Sequence, residues 1–182
     1  MAYHSLGEVF EALDQTRGSI YDRVEKLRPE QYSYTEESGR WSVAGIVEHI
    51  SAAEARIVPR LRELIEQAAA AGQVGPVGAG FKPISTEEIR SRSTTTQFEA
   101  PEAVKPKGGL HLGELLARIR STRSELLALR PKFEQLDLSQ SKFPHPAFGP
   151  LDGYEWLAFM VLHESRHLSQ IERVLASPGF PP

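Results

Sequence analysis

Four long stretches of this chain place apolar residues at the three- and four-residue spacing of an amphipathic helix. They begin near Leu6, Val43, Leu112 and Gly153, and proline or glycine follows each of them. No stretch of comparable length shows the two-residue alternation of a half-buried strand. The pattern therefore predicts an all-α protein folded as a four-helix bundle.

Polar capping residues mark where these helices begin. Ser5 and Asp152 each stand three residues before a glutamate, which is the spacing of a capping box, where side-chain oxygens accept hydrogen bonds from free backbone amides. Ser42 is the expected cap of the second helix. Pro59, inside that helix, lacks an amide for the bond to the preceding turn, so we expect a kink or a local irregularity there.

The connection between the second and third helices, residues 72–109, is long and begins with a run rich in glycine. A connection of this length can return along the bundle, so helices two and three can run in the same direction. The predicted order is up-down-down-up, which makes helices two and four antiparallel. We expect a short helix to begin inside the connection near Ser85. Residues 1–182 are predicted to form a single domain, because the chain is too short for two comfortable cores.

Composition limits the functional classes. The formal net charge is -3 and no dense Lys/Arg cluster occurs, so nucleic acid is not an expected partner. The chain has no cysteine, which excludes disulfides, thiolate metal sites and a cysteine nucleophile. It shows neither the pattern of a signal peptide nor an apolar run of ~20 residues. We therefore expect a cytoplasmic protein that does not associate with a membrane.

The sequence LHESRH contains the pattern H-E-x-x-H, which zinc metalloproteases carry on a helix. His163 and His167, four residues apart, project from one face of a helix with Cβ atoms ~5–6 Å apart, so their rings can bind one divalent ion. The alternative is a pair of partly buried structural histidines. Glu164 is a candidate general base or a partner of a ligand, and the alternative is a solvent-exposed helix carboxylate.

A third histidine, His49, lies among apolar residues on the core-facing stripe of the second helix. At ~1.5 Å per residue, His49 is roughly 10 Å from the start of helix two, whereas His167 and His163 are roughly 14 and 20 Å from the end of helix four. In antiparallel helices those ends adjoin, so the three rings approach one level. This coincidence favours one metal site over a lone core histidine at position 49.

The protease interpretation requires a third ligand downstream of the pair. In the longer pattern H-E-x-x-H-x-x-G-x-x-H, Gln170 stands where glycine belongs and Arg173 where histidine belongs. Glu172 is the only carboxylate after His167, and a helix does not readily bring it back to the ion. The protease interpretation is therefore weak. Among the remaining histidines, His145 is a weak candidate for lining a pocket, and His4 and His111 are expected to have no role in the site.

The motifs together resemble the DinB-like superfamily. The resemblance rests on Trp41-Ser42 opening a helix, on His49 seven positions later, and on the last pair His163-x-x-x-His167. The segments HPAFGPL at 145–151 and RHLSQI at 166–171 also match. The resemblance implies an up-down-down-up bundle, commonly a homodimer, in which His49 and the two late histidines hold a divalent metal ion. Some members are S-transferases that use bacillithiol or mycothiol, and a related isomerase uses mycothiol.

The leading functional prediction is a metal-dependent thiol S-transferase that acts on a small-molecule substrate. Three imidazoles leave positions open on an ion, which can lower the pKa of a low-molecular-weight thiol supplied from outside. One alternative is a metal-dependent hydrolase of a small ester or amide in which Glu164 moves protons. Another is a non-enzymatic bundle that uses the metal for stability or mediates protein contacts. Zinc or nickel is the expected metal, with iron and copper as alternatives. Trp41, Tyr154 and Trp156 are candidates for lining the pocket or packing in the core.

Overall fold

Four long helices make up most of the fold in a computed structural model of the chain, which describes residues 2–36, 40–75, 78, 80–91 and 99–182. In chain order the helices are α1 (Leu6–Val24), α2 (Pro29–Tyr32), α3 (Val43–Ala70), α4 (Thr86–Ser91), α5 (Leu112–Ala128), α6 (Arg130–Gln135) and α7 (Gly153–Leu175). The long helices α1, α3, α5 and α7 are the four that the apolar spacing predicts. The prediction of a mainly helical four-helix bundle is confirmed.

The predicted caps form at the starts of α1 and α7. Ser5 Oγ accepts a hydrogen bond from the amide of Glu8 at 3.2 Å, although the Glu8 carboxylate accepts from the amide of His4 rather than from that of Ser5. Asp152 and Glu155 form the full reciprocal box, each carboxylate accepting the other residue's amide. These bonds satisfy amides of the first turn that have no partner inside the helix.

Helix α3 is the longest element, and it continues through Pro59. Ser42 Oγ accepts the amide of Gly45 at 3.2 Å and caps its start. Buried Val58 and Leu61 flank the exposed proline, so packing on the core maintains the helix where one backbone bond is lost. Gly72, with a φ of 68°, follows the end of the helix in the left-handed conformation that glycine adopts without a steric penalty.

Two short antiparallel ribbons were not expected from the sequence. The first pairs β1 (Ala2–Tyr3) with β2 (Ile84–Ser85), and the second pairs β3 (Lys142–His145) with β4 (Gly149–Asp152). The sequence predicted no strands, and this prediction was wrong for these two ribbons, because strands of two to four residues are too short to show a two-residue alternation. The second ribbon leads directly into α7 and helps to form the wall of a cavity described below.

Contacts between the long helices show which of them run parallel and which run antiparallel. Thr122 Oγ1 donates to Glu54 Oε2 at 2.8 Å, and Arg62 lies 3.7 Å from Glu125. Residue numbers therefore increase in the same direction along α3 and α5, so these two helices are parallel. His49, early in α3, lies beside two histidines in the second half of α7, so these two helices run in opposite directions. The connection between α3 and α5 includes α4, which begins where the sequence predicts a short helix.

The apolar core consists of two clusters, one towards each end of the bundle. A layer of buried polar side chains crosses the bundle between them. Each long helix contributes to this layer, whose buried members are Arg17, His49, Glu54, Arg123, Glu164 and His167. Buried charges and imidazoles require partners, so this layer is the candidate functional region of the protein. No helix in the described ranges has the length and hydropathy of a membrane span. The homodimer implied by the resemblance stays a prediction.

Candidate metal centre

His49, His163 and His167 converge in the polar layer. His49 comes from α3, and the other two come from consecutive turns of α7. The Nε2 atom of His163 lies 3.0 Å from Nε2 of His49 and 3.1 Å from Nε2 of His167. One potential ligand nitrogen from each ring lies within 4.8 Å of the others. The structure thus brings together the three histidines that the sequence groups.

The spacing of these nitrogens fits a single divalent ion. At a nitrogen–metal distance of ~2.0–2.1 Å, two ligands lie ~2.9 Å apart at a right angle and ~3.3 Å apart at the tetrahedral angle. The two Nε2 separations of 3.0 and 3.1 Å fall between these values. Three imidazoles are suitable ligands for zinc, nickel, copper or iron. The donor set and these two separations therefore fit one such ion.

Hydrogen bonds on the outer side orient two of the rings. His49 Nδ1 lies 2.9 Å from the carbonyl oxygen of Val104, and His167 Nδ1 lies 2.6 Å from Oε1 of Gln170. An oxygen acceptor requires the ring proton on Nδ1, so the lone pair of each Nε2 faces the centre of the cluster. Outer partners of this kind are typical of histidines that bind a metal.

The electrostatic surroundings keep the rings neutral. Burial lowers the pKa of His49, and burial with the nearby charge of Arg166 lowers the pKa of His167 to about 3. Burial and the neighbouring histidines also hold the pKa of His163 well below its ordinary value. A neutral imidazole is the form that binds a metal, so near pH 7 these ligands need not lose a proton first.

Trp41 covers part of the cluster. Its ring centroid lies 4.8 Å from that of His49 and 6.4 Å from that of His167, to which it is nearly parallel. Trp41 is not among the residues that line the neighbouring cavity. Its indole instead lies beside two ligand rings, tilted by 42° to His49 and by 22° to His167.

A cavity of about 840 Å³ opens beside the cluster, and His49 and His163 form part of its wall. This volume is within the ~300–1,000 Å³ of small-molecule sites. Most of the wall is apolar, with Ile57, Phe148, Trp156, Phe159 and Leu162 among its members. The indole of Trp156 stacks on Phe143 at a centroid distance of 4.0 Å and donates to its carbonyl at 3.2 Å. The β3–β4 ribbon therefore supports this wall.

His145 and Tyr154, which the sequence analysis named as candidates for lining the pocket, lie in different places. His145 lines the cavity, with its ring centroid 4.4 Å from that of Phe159, and burial lowers its pKa to about 4. Tyr154 is in the core, where its hydroxyl donates to the carbonyl of Leu136 at 2.9 Å. Of the histidines expected to be outside the site, His111 is the N-cap residue of α5 and His4 is exposed.

Glu164 follows His163 in the chain but contacts different groups. Its Oε1 lies 2.7 Å from Nη2 of Arg17 and also contacts Arg123, while its Oε2 lies 3.3 Å from Nε of Arg17. With only 2% of its surface exposed, it is not the solvent-exposed carboxylate of the alternative interpretation. One residue advances a helix by 100°, so Glu164 faces the centre of the bundle while His163 faces the cavity. The assignment of Glu164 as a general base stays a prediction.

Glu54 completes a buried cluster of two arginines and two glutamates. It lies 2.9 Å from Arg17 and 3.2 Å from Arg123. Burial alone would lower the pKa of Arg17, but the carboxylates of Glu164 and Glu54 raise it above its ordinary value. We call these four residues the ion-pair cluster. The sequence analysis did not predict it, although Arg17, between apolar Leu13 and Ile20 on the core-facing stripe of α1, indicates a buried charge that needs a partner.

Three further contacts of the histidines were also missed. Gln170 could have been found, because a residue three positions after His167 lies on the same face of the helix. The carbonyl of Val104 could not, because its position depends on how the long connection folds back onto α3. Arg166 places Nη2 3.2 Å from Nε2 of His167 and lines the cavity.

The fold and the cluster together define a class: four-helix-bundle proteins with three histidines directed at one point in the interior. The chain belongs to the DinB superfamily, whose sequence profile matches residues 12–171. This match confirms the resemblance that the sequence motifs carry.

One relative in sequence and two solved structures are similar to this chain over most of its length. The uncharacterized protein YuaE of Bacillus subtilis (strain 168) is 22% identical over 163 residues, which cover 88% of this chain and 93% of YuaE. The crystal structure of TT2238, a four-helix bundle protein, has a TM-score of 0.64 at 22% identity and covers 92% of this chain and 98% of its own. YfiT from Bacillus subtilis, described as a probable metal-dependent hydrolase with an unusual four-helix bundle topology, has a TM-score of 0.64 at 15% identity, covering 96% and 88%.

Proposed function

We propose that this protein is a metal-dependent enzyme that acts on small molecules, with the metal held by His49, His163 and His167. The proposal depends on one observation: Nε2 of His163 lies 3.0 Å from Nε2 of His49 and 3.1 Å from Nε2 of His167, beside a cavity of about 840 Å³. Because the cavity wall includes two of these rings, a substrate bound there would reach the open side of the site. A site with three protein ligands and an accessible remaining position is typical of catalysis.

The residues of the chain have distinct roles in this proposal. Val104 and Gln170 keep the protons of His49 and His167 on the outer nitrogens. A divalent ion bound there supplies Lewis-acid chemistry, which lowers the pKa of a coordinated water or thiol. The aromatic wall of the cavity excludes bulk water and positions the apolar part of a substrate.

Hydrolysis of a small ester or amide is the first candidate reaction. It is supported by the similarity of fold to YfiT, which is described as a probable metal-dependent hydrolase. In this reaction water attacks the carbonyl carbon and the alcohol or amine leaves with a proton. Glu164 has both oxygens engaged with guanidinium groups and does not line the cavity, so we propose for it a structural role in place of the general-base role predicted from the sequence.

Transfer to a low-molecular-weight thiol is the second candidate. The absence of cysteine from the chain is compatible with it, and it is supported by a cavity within the volume range of small-molecule sites. Bacillithiol and mycothiol are the thiols that the family resemblance suggests. A non-enzymatic bundle stabilised by metal is the remaining alternative, and it predicts metal binding without turnover.

Elemental analysis of protein purified without a chelator tests the metal site. We expect about one divalent ion per chain in the wild type and in His145→Ala, which alters the cavity wall but leaves the three ligands. We expect little or none in His49→Ala. Full metal content in His49→Ala would show that the three-histidine site is wrong.

Turnover assays distinguish the reactions. Metal-loaded protein is tested with 4-nitrophenyl acetate and with 1-chloro-2,4-dinitrobenzene, each with and without cysteine, bacillithiol or mycothiol. Ester cleavage that needs no thiol supports hydrolysis, whereas dinitrophenyl transfer that requires a thiol supports the transferase. Both activities should disappear in His49→Ala and persist in His111→Ala. Metal binding without any turnover would favour the non-enzymatic bundle.

A further inference from the structure

The charged side chains around the cavity are strongly unbalanced. Arg56 from α3, Arg90 from α4 and Arg166 from α7 line it, whereas Glu99 is the only carboxylate among its described lining residues. The protein as a whole carries a formal net charge of -3. Cations from three separate helices in an acidic protein, on a mostly apolar wall, create a local positive potential that favours an anionic ligand.

Local ion pairs do not account for these arginines. In the described part of the chain, no carboxylate oxygen lies within 4 Å of the guanidinium groups of Arg56, Arg90 or Arg166. Arg60, one turn after Arg56 on α3, differs because it lies 2.6 Å from Glu63. Arg60 therefore already has a surface partner, whereas the cavity arginines have N–H groups available to a ligand, and in Arg166 only Nη2 is engaged within the described ranges, with Nε2 of His167.

Arg166 connects this charge to the metal centre. Its Nη2 atom lies 3.2 Å from Nε2 of His167, and its position three residues after His163 places both side chains on one helix face. A planar guanidinium can bind a carboxylate through two parallel hydrogen bonds. A carboxylate bound by Arg166 would therefore lie next to the histidine cluster, with the apolar wall of Trp156 and Phe159 available to the rest of the molecule.

We propose that the cavity binds small organic carboxylates: molecules with an apolar or aromatic body whose carboxylate is bound by Arg166, with Arg56 and Arg90 contributing attraction at longer range. This names a substrate class for the proposed enzyme and rests on that function only for the reaction that follows binding. Binding itself depends on the arginines and the apolar wall, so it can be measured without turnover.

The test compares phenylacetate with phenylacetamide, which has nearly the same shape but no charge. Their affinities are measured by isothermal titration calorimetry on the metal-loaded protein and on the protein after chelation. The variants are Arg166→Gln, Arg56→Gln and Arg90→Gln, with Arg60→Gln as a control on the same helix as Arg56. Metal content and the circular dichroism spectrum are checked for each variant, and phenyl phosphate tests whether the site prefers a carboxylate to a phosphate.

We expect phenylacetate to bind about tenfold or more tightly than phenylacetamide, since charge-assisted hydrogen bonds are stronger than neutral ones. Arg166→Gln should remove most of that difference, Arg56→Gln and Arg90→Gln should reduce it severalfold at low salt, and Arg60→Gln should leave it unchanged. The difference should persist after chelation if the arginines, rather than an ion, bind the carboxylate.

Several outcomes would overturn the proposal. These are equal affinity for the two probes, no saturable binding of phenylacetate, tighter binding of phenyl phosphate than of phenylacetate, or a loss in Arg60→Gln as large as that in Arg166→Gln. Binding that requires metal and ignores all three cavity arginines would assign the carboxylate to the ion alone. Arginine-dependent binding without metal content or turnover would instead contradict the proposed enzyme and leave the carboxylate site intact.

Discussion

The histidine cluster and the ion-pair cluster occupy the same polar layer, yet they differ in how their polar groups are satisfied. The ion-pair cluster contains two cations and two anions that bind one another across all four long helices. The histidine cluster gathers three Nε2 atoms, and the outer Nδ1 partners of His49 and His167 leave lone pairs on two of them. The charges of the first cluster therefore balance within the protein, whereas the second offers lone pairs that a cation can bind.

Neighbouring residues on one helix serve these two purposes. His163 and Glu164 are adjacent on α7, and the 100° turn between them directs one to the cavity and the other to the arginines. The ion-pair cluster thus holds α7 in place while the histidines remain available to a ligand. The comparison predicts that damage to one cluster affects folding stability and damage to the other affects metal affinity.

The largest effect is expected from Glu164→Ala. Removing this carboxylate leaves Arg17 and Arg123 with an uncompensated buried charge, which we expect to lower the free energy of unfolding by about 3–5 kcal/mol. Urea denaturation of the metal-free protein measures this change. Glu172→Ala is the control, because Glu172 pairs with Arg23 on the surface and such pairs contribute ~0–1 kcal/mol. Similar losses in the two variants would contradict the structural role of the ion-pair cluster.

A smaller effect, confined to the metal site, is expected from Gln170→Ala. Loss of the amide oxygen that accepts from His167 Nδ1 should lower metal affinity by ~10–100-fold, as is usual for outer partners of metal ligands. Competition with a chromophoric chelator measures the affinity. Ser169→Ala is the matched control on the same turn, since its hydroxyl donates to the carbonyl of Ser165 at an exposed position. An unchanged affinity in Gln170→Ala would mean that this hydrogen bond does not orient the ligand.

The smallest effect is expected from His145, which lines the cavity, on the pH dependence of the free energy of unfolding. His145 has its pKa lowered to about 4 in the folded protein, so the unfolded chain binds a proton more readily. Its contribution is therefore constant above pH ~6.5 and is lost as the pH falls from ~6.5 towards 4, by at most ~1.4 kcal/mol per pH unit and less for this partly exposed ring. Urea midpoints at pH 7, 6 and 5 should fall less steeply in His145→Gln than in the wild type. Parallel slopes would contradict the prediction.

Much of the bundle could be predicted from the chain because its signals are local. Apolar residues at helical spacing predict α1, α3, α5 and α7, and the capping residues Ser5, Ser42 and Asp152 predict the starts of α1, α3 and α7. The two β-ribbons could not be predicted, because their pairing depends on contacts between short segments with no periodicity of their own. The first ribbon, for example, pairs Tyr3 with Ile84, and α1, α2 and α3 lie between them in the sequence.

The candidate site divides in the same way. The chain alone determined that His163 and His167 share a helix face, and a fixed rise per residue placed His49 at their level. Only the tertiary structure decided that Glu164 turns away from them into an ion-pair cluster. It also decided that Val104, Arg56 and Arg90 surround the site, because these contacts depend on how α3, α4 and the connection before α5 pack against α7. Helical periodicity is a property of neighbours in sequence, whereas burial, charge balance and the wall of a cavity arise only when distant segments meet.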